Sequence, residues 1–356
     1  MTAVADLRVE RLPVHDAAVG RAWTLVQQQG GVTSPFLSRQ WYAALADVPE
    51  LTAQAETLVC MQGATPVGLL PVQVVTRNGL RTLGVAGWDW FTPDHLDVVA
   101  APQHRAAVAD RIARSLATRR DWDVLDLDAL AAGSPLADAL RTVMRRPRFV
   151  ARPDEPVSVR ARHVAADDGL FVGKWARKRL RRALRLVEEQ NGTLEFVTEP
   201  DRVVALLDVL MSLHQSRFGD RSTVFATPER RRFHRIAAES LCAVGSARIA
   251  RLRVGDVDAA LLYMLSWEST AYLYSSGLQP DVIQSGGSVL RDWVLTQAAA
   301  QGFTLVDFLR GDQDWKDQVA DHTFADTRVR YVRTTPRVLA AGAGRVLGRR
   351  RPAEVT

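Results

Sequence analysis

Cysteine is nearly missing from this chain: its 356 residues hold two, Cys60 and Cys242, far apart and in no C-x-x-C pair. That excludes a disulfide framework and a thiolate zinc site, and it suits a reducing compartment. Long apolar runs are missing as well. None reaches the roughly 18 residues that a membrane-spanning helix needs, so no transmembrane segment is expected. The opening residues carry acids early and lack a continuous apolar stretch, which is not the pattern of a secretory signal. A cytoplasmic protein is the expectation. Histidine is sparse, and His163, His214, His234 and His322 form no H-x-x-x-H or H-E-x-x-H spacing, so no metal site is expected. There is no Walker loop, dinucleotide fingerprint or G-x-S-x-G elbow, which argues against a serine hydrolase.

What is present is a globular composition. Hydrophobic residues make up 47% and charged residues 24%, which sets a disordered chain aside. The length exceeds the usual size of one core, so two domains are expected. The net charge of +6 is unevenly placed. Lys174, Arg177, Lys178, Arg179, Arg181, Arg182 and Arg185 crowd one segment, and Arg337, Arg345, Arg349, Arg350 and Arg351 load the tail. Both clusters, residues 174–185 foremost, could attract an anionic partner such as phosphate, acidic glycan, tRNA or a lipid headgroup; a solvated helix face and a frayed terminus are the simpler reading.

The first half reads as mixed α/β. Helices are expected over Ala17–Gln29, Ser38–Ala46 (with Ser38 as cap), Ala106–Ala117 and Ser134–Met144, and strands over Thr57–Met61, Val67–Val75 and Trp122–Leu127. Arg145–Pro156, rich in proline and arginine, reads as a connection. In the second half, Phe171, Trp175, Leu180, Leu184 and Val187 form one helical stripe, closed by Asn191-Gly192. A strand Thr193–Val197 follows, then helices from Pro200, with Val204, Leu207, Leu210, Met211 and Phe218 on one face, and over Pro228–Val244. The strands Ala247–Val254, Asp258–Trp267 and Thr270–Ser276 are joined by links too short for anything but antiparallel neighbours. A loop, a helix Ser288–Ala300, a strand Thr304–Leu309, a helix-like turn and a strand Thr327–Thr334 complete the order.

Two clusters carry chemistry. The loop Gln279–Ser288 leads into a helix N-terminus, where backbone N–H groups lack partners. Gly286 and Gly287 would let a phosphate approach, and Ser285 or Ser288 could cap the helix or donate to oxygen; a simple turn is the alternative. The second cluster, Asp307 to Lys316, gathers both signs of charge and an aromatic at a strand's C-terminal end, where ligands of α/β folds collect. There, too, Arg310 pairing with Asp307 or Asp312 to fix a turn is a purely structural alternative.

The chain resembles the CelD-like (cellulose-biosynthesis-like) acyltransferases of the GNAT superfamily. The resemblance runs from the basic helix Lys174–Val187 through Leu213-His214-Gln215-Ser216-Arg217-Phe218 and Tyr272-Leu273-Tyr274-Ser275-Ser276-Gly277. It continues in Ser285-Gly286-Gly287-Ser288-Val289-Leu290 and in Phe308-Leu309-Arg310-Gly311-Asp312 with Lys316. Ser34-Pro35-Phe36-Leu37-Ser38-Arg39-Gln40-Trp41 is similar to the family's opening segment. The resemblance implies tandem GNAT-like folds, α/β (α+β) with a mixed sheet flanked by helices, as in Fem-type ligases. It places a degenerate domain over 1–155, an acyltransferase domain over 156–335 and a basic tail over 336–356.

It further implies that Thr270–Ser276 splays from its neighbour and pairs with the pantetheine arm of an acyl-CoA, acetyl-CoA foremost. Tyr274, Ser275 and Ser276 would line that arm, and Ile283, Gln284, Ser285, Gly286, Gly287 and Ser288 would hold the pyrophosphate. Direct transfer to an amino or hydroxyl group of a small molecule or glycan precursor would use Asp312 as base, with His214 as second candidate. Arg310 and Lys316 would orient anionic groups, and Tyr274 would protonate the leaving thiolate. Where family members show an acidic residue and a tyrosine before the closing lysine, this chain has Gln313, Asp314 and Trp315. A Fem-like transferase using aminoacyl-tRNA, docked on the basic helix, and a non-catalytic binding protein of the same fold are the alternative readings.

Overall fold

The computed structural model describes residues 7–164, 174–311 and 313–340. They divide into two compact units, one running to Val157 and resuming at Ala325, the other Ser158–Phe324. The strand read as Thr327–Thr334 therefore groups with the first unit. Asp312 and residues 341–356 of the basic tail lie outside the described residues, as do Phe171 and the side chain of Trp175.

The first unit contains β1 (Leu7–Pro13), α1 (Ala17–Gln28), α2 (Arg39–Ala46), β2 (Ala55–Gln62), β3 (Thr65–Arg77), β4 (Leu80–Val85) and a short α3 (Trp88–Phe91). β5 (Val99–Ala100), α4 (Arg105–Thr118), β6 (Val124–Leu130), α5 (Pro135–Val143) and β7 (Phe149–Ala151) follow. Helices start where capping chemistry tells them to: Asp16, Ser38 and Ser134 each accept a hydrogen bond from a first-turn amide. β1 to β4 form an antiparallel meander. After the α4 crossover β6 returns parallel to β4, pairing only at Thr82↔Val124 and Leu83↔Leu125.

The second unit repeats this order. It contains β8 (Glu155–His163), α6 (Lys174–Glu189), β9 (Thr193–Val197), α7 (Pro200–Phe218), α8 (Pro228–Cys242), β10 (Ala247–Val254), β11 (Val257–Trp267) and β12 (Thr270–Leu278). α9 (Gly286–Ala298), β13 (Leu305–Arg310) and α10 (Asp314–Val319) complete it; β14 (His322–Arg333) and α11 (Pro336–Ala340) end the described chain. A strand, two helices, a three-stranded antiparallel run, a crossover helix and a parallel strand thus occur twice. This is the tandem, mixed-sheet α/β arrangement that the sequence led us to expect. β14 pairs with β6 and β7, and β8 with β13, both antiparallel.

Alternation along β11 sets the layers of the second unit. Ala260, Leu262 and Met264 face a core with Leu180, Ala183 and Val187 of α6 and Val289, Leu290 and Val294 of α9. The alternate Tyr263 faces His234 of α8. Burying such Leu and Val side chains contributes about 1.5–3 kcal/mol each, which holds both helix layers on the sheet. Arg177, Lys178, Arg179, Arg181, Arg182 and Arg185 are exposed on α6.

Four expectations need correction. Arg145–Pro156 is not merely a connection: it contains β7 and the start of β8, and the charged neighbours hid the alternation. Val203, not Val204, is the first fully buried residue of α7. The loop helix starts at Gly286 rather than Ser288, so both glycines belong to its first turn. Neither serine caps it by side chain; Ser285 precedes it in the left-handed region.

Candidate active site

β12 and β13 run parallel for only three pairs, Thr270↔Leu305, Ala271↔Val306 and Tyr272↔Asp307. Beyond Tyr272 the two strands part, while β12 stays paired with β11 as far as Leu278. The register with β11 slips between Tyr263↔Ser275 and Met264↔Leu273, leaving Tyr274 as the extra residue of a bulge. A bulge bends its strand and re-aims side chains. Here consecutive Tyr274 and Ser275 meet the same helix layer. The Tyr274 ring lies 5.4 Å from that of His234, and the Ser275 hydroxyl lies 3.4 Å from His214 Nδ1.

A cavity of about 150 Å³ opens where the strands part. β12 contributes Leu273, Tyr274, Ser275, Ser276 and Leu278 to its lining, and β13 contributes Phe308. Leu262, Arg217, Phe218, Arg291, Gln313, Trp315 and Lys316 complete it. No acidic side chain is among these described lining residues, whereas three are cationic.

Lys316 is almost wholly buried, at 3% exposure. Its ammonium donates to the carbonyl oxygens of Leu309 at 3.1 Å and Arg310 at 2.6 Å. Leu309 and Gly311 both have positive φ, so the backbone turns at the end of β13 where the ammonium meets it. A Cβ on Gly311 would also lie 2.9 Å from the Gln313 amide, so this turn requires glycine. Arg291 reaches the cavity from α9. Its guanidinium lies 4.3 Å from the Trp315 ring centre, and it donates to the Ser288 hydroxyl at 3.3 Å. Burial, and then the charge of Arg217, draws its pKa down from 12.5 to about 10, which leaves it charged at neutral pH.

His214 lies behind β12 rather than in the cavity lining. Its Nδ1 is 3.2 Å from the Ser276 carbonyl oxygen, which it reaches as the Nδ1–H tautomer. Burial lowers its pKa, the Ser276 carbonyl raises it in part, and the Arg217 charge lowers it again, so the ring is neutral at pH 7. His214 thus braces the strand where Ser275 and Ser276 face the cavity.

Of the residues singled out in sequence, Tyr274, Ser275, Ser276 and Lys316 meet at the cavity. Arg310 is present through its carbonyl oxygen. Ser288 is connected to the cavity through Arg291. Ile283, Gly286 and Gly287 are buried, and Gln284 and Ser285 are exposed. A Cβ on Gly287 would lie 2.9 Å from a Leu278 methyl, so helix-on-strand packing by itself calls for a small residue there. Sequence reading passed over Arg291, whose only signal is a lone cation among Val289, Leu290, Val294 and Leu295. It places Phe218 only on a helix face and Trp315 only as the aromatic of the charged cluster, and gives Arg217 no place in the site.

The first unit differs at the corresponding place. Gly84 follows the short β4–β6 pairing, and a Cβ there would collide with the indole of the buried Trp88. An aromatic side chain covers the strand where the second unit has its cavity.

Residues 174–317 match the family model described as an acetyltransferase (GNAT) domain. A sequence comparison with curated proteins returns no match. Among solved structures, L-PGS from Bacillus licheniformis aligns with TM-score 0.58 and 12% identity, over 94% of this chain and 98% of that one. The C-terminal domain (DUF2156) of a candidate lysylphosphatidylglycerol synthetase from Agrobacterium fabrum aligns with TM-score 0.57 and 11% identity, over 92% and 95%. FemX aligns with TM-score 0.53 and 12% identity, over 83% and 92%. At these identities the likeness is one of fold. Residues 174–317 are thus similar to a GNAT acetyltransferase domain, within a two-unit chain that resembles those proteins in fold.

Proposed function

We propose that the protein is a CelD-like acyltransferase that takes an acyl group, acetyl foremost, from a coenzyme A thioester to an amino or hydroxyl group. The observation that carries this reading is the parting of β12 from β13 with a cavity between them. From Leu273 to Leu278 β12 pairs with β11 and, among the described residues, with no second strand; an amide-bearing arm can pair with such an edge as an added strand. The bound thioester supplies the activated acyl group: its C–S bond breaks as the acceptor N–C or O–C bond forms, and the acceptor's proton ends on the thiol.

This chain's residues supply the setting. Ser276 offers a hydroxyl in the lining, Ser275 lines it with its hydroxyl turned to His214, and the bulge at Tyr274 holds both there. Lys316, fixed by two carbonyl oxygens, keeps a positive charge at the cavity wall, where negative charge on a reacting carbonyl oxygen would be stabilised. Tyr274 is the proton donor to the departing thiolate. Asp312, which follows Gly311 in the sequence, remains the proposed base and acceptor-positioning group, and Arg310 is proposed to orient anionic groups. His214 acts as a positioning residue. Gln284, Ser285 and the first-turn amides of α9 take the phosphates. The first unit, with Trp88 over Gly84, serves as a non-catalytic partner domain, and a sugar or glycolipid precursor is the proposed acceptor.

A thermal-shift comparison of acetyl-CoA, free CoA and aminoacyl-tRNA tests this reading. Acetyl-CoA at about 100 times its dissociation constant should stabilise the native state by roughly 2.7 kcal/mol. No shift with either CoA species, beside a salt-sensitive shift with aminoacyl-tRNA, would favour the Fem-like alternative instead.

A further inference from the structure

Two guanidinium groups enter one cavity from different helices. Arg291 comes from α9 and lies over Trp315; Arg217 comes from the end of α7 and lies over Phe218 at 4.8 Å. Neither forms a salt bridge with a described carboxylate. The half-buried Arg251 of the same unit shows the usual solution, held by Asp258 at 2.5 Å and Glu195 at 3.0 Å. A ring face and one serine hydroxyl orient Arg291 without neutralising it. Burying a charge without a counter-ion is costly, and a second cation nearby adds repulsion. An anion between the two groups removes both penalties through charge-assisted hydrogen bonds, for which the planar guanidinium is suited.

We infer that Arg291 and Arg217 form an anion subsite, and that the acceptor carries a phosphate or carboxylate held there. The inference rests on the acyltransferase reading for the word acceptor; the subsite itself does not. The donor and the acceptor anion use different walls, the open edge of β12 and the arginine pair. The Trp315 ring keeps Arg291 turned toward the cavity, a task that requires no hydroxyl at that position.

The test is equilibrium binding to the full-length protein of amines matched except for the anion: phosphoethanolamine against ethanolamine, and alanine against alanine amide, each with and without saturating acetyl-CoA. One anionic member should bind at least about tenfold more tightly than its neutral partner and still bind beside acetyl-CoA; the pair that shows this separates phosphate from carboxylate. R217Q and R291Q should each weaken that binding roughly ten- to a hundredfold and leave acetyl-CoA affinity within about twofold. Arg217 is exposed, so R217Q decides the matter even where R291Q fails to fold. Equal binding of both members of each pair, or an anion preference untouched by R217Q, overturns the inference. So does displacement of the anion by acetyl-CoA together with weaker acetyl-CoA binding in R217Q, because the arginines would then hold the donor's phosphates. Absence of acetyl-CoA binding, with the anion preference present and lost in R217Q, would sink the acyltransferase reading and leave the subsite standing.

Discussion

The Arg291 guanidinium rests 4.3 Å above the ring of Trp315, and that ring meets Phe308 nearly edge-on at 5.3 Å. The Trp315 indole offers the cation a larger face than a phenol ring would. A tryptophan face attracts guanidinium by about 0.5–2 kcal/mol. Trp315→Phe should keep a ring under the arginine and cost about 1 kcal/mol, whereas Trp315→Ala should cost about 2–3 kcal/mol. Urea unfolding of the two variants checks this. Equal losses would mean that the ring does not hold Arg291.

Lys316 gives a second expectation. Its removal by Lys316→Met leaves two carbonyl oxygens at the end of β13 without their donor, a loss of about 1–3 kcal/mol in unfolding free energy. If its charge also stabilises the reacting carbonyl oxygen, the rate of thiol release from acetyl-CoA should fall about 10²–10³-fold. A stability loss with an undiminished rate would make Lys316 purely structural.

The glycines separate packing from ligand approach. A Cβ on Gly277 would lie 2.9 Å from the Leu210 carbonyl oxygen and 3.0 Å from its Cα, backbone atoms of α7 that cannot turn aside. On Gly287 it would meet the mobile end of Leu278. Gly277→Ala should therefore cost about 1–3 kcal/mol, and Gly287→Ala distinctly less. Should Gly287→Ala raise the acetyl-CoA dissociation constant more than about tenfold at little cost in stability, the α9 N-terminus holds phosphate as proposed. An unchanged constant leaves Gly287 with a packing role alone.

These examples mark where the sequence was legible. Caps, amphipathic spacing and short links made α1, α2, α7, the β10–β12 run and the crossover α9 readable, since each rests on local chemistry. β1, β4 and β8 escaped because their alternation is short or broken by arginines, and only pairing with a neighbouring strand reveals them. The cavity was half legible: Ser275, Ser276 and Lys316 lie in motifs, while Arg291 acquires its position from Trp315, distant in sequence. No local pattern encodes that contact.

The buried histidines set the acid limit of stability. His234 lies among Phe225, Phe233 and Tyr274, with ring centres 4.9, 5.0 and 5.4 Å away. Burial, then the charges of His214 and Arg230, draws its pKa from 6.5 to about 3. The unfolded chain takes up this proton near pH 6.5 and the native state does not until about pH 3. Stability is therefore complete above pH 6.5 and is lost as the pH falls, by about 1.4 kcal/mol per unit. His214, lowered in the same direction, adds to the slope. His234→Phe should flatten the acid side by about one proton's worth in urea titrations from pH 7.5 to pH 4.5. An unchanged slope would show that His234 is protonated in the native state.

The most direct test of the account is calorimetric titration of acetyl-CoA into the wild-type protein and into Ser276→Trp, a substitution that fills the cavity from a partly exposed position on β12. Saturable binding to the wild type is expected, with a dissociation constant on the order of micromolar to a millimolar. Binding should be lost in a variant whose circular dichroism shows it folded. Binding of equal strength in both proteins, or none to the wild type, would contradict the claim that the parting of β12 and β13 receives the acyl donor.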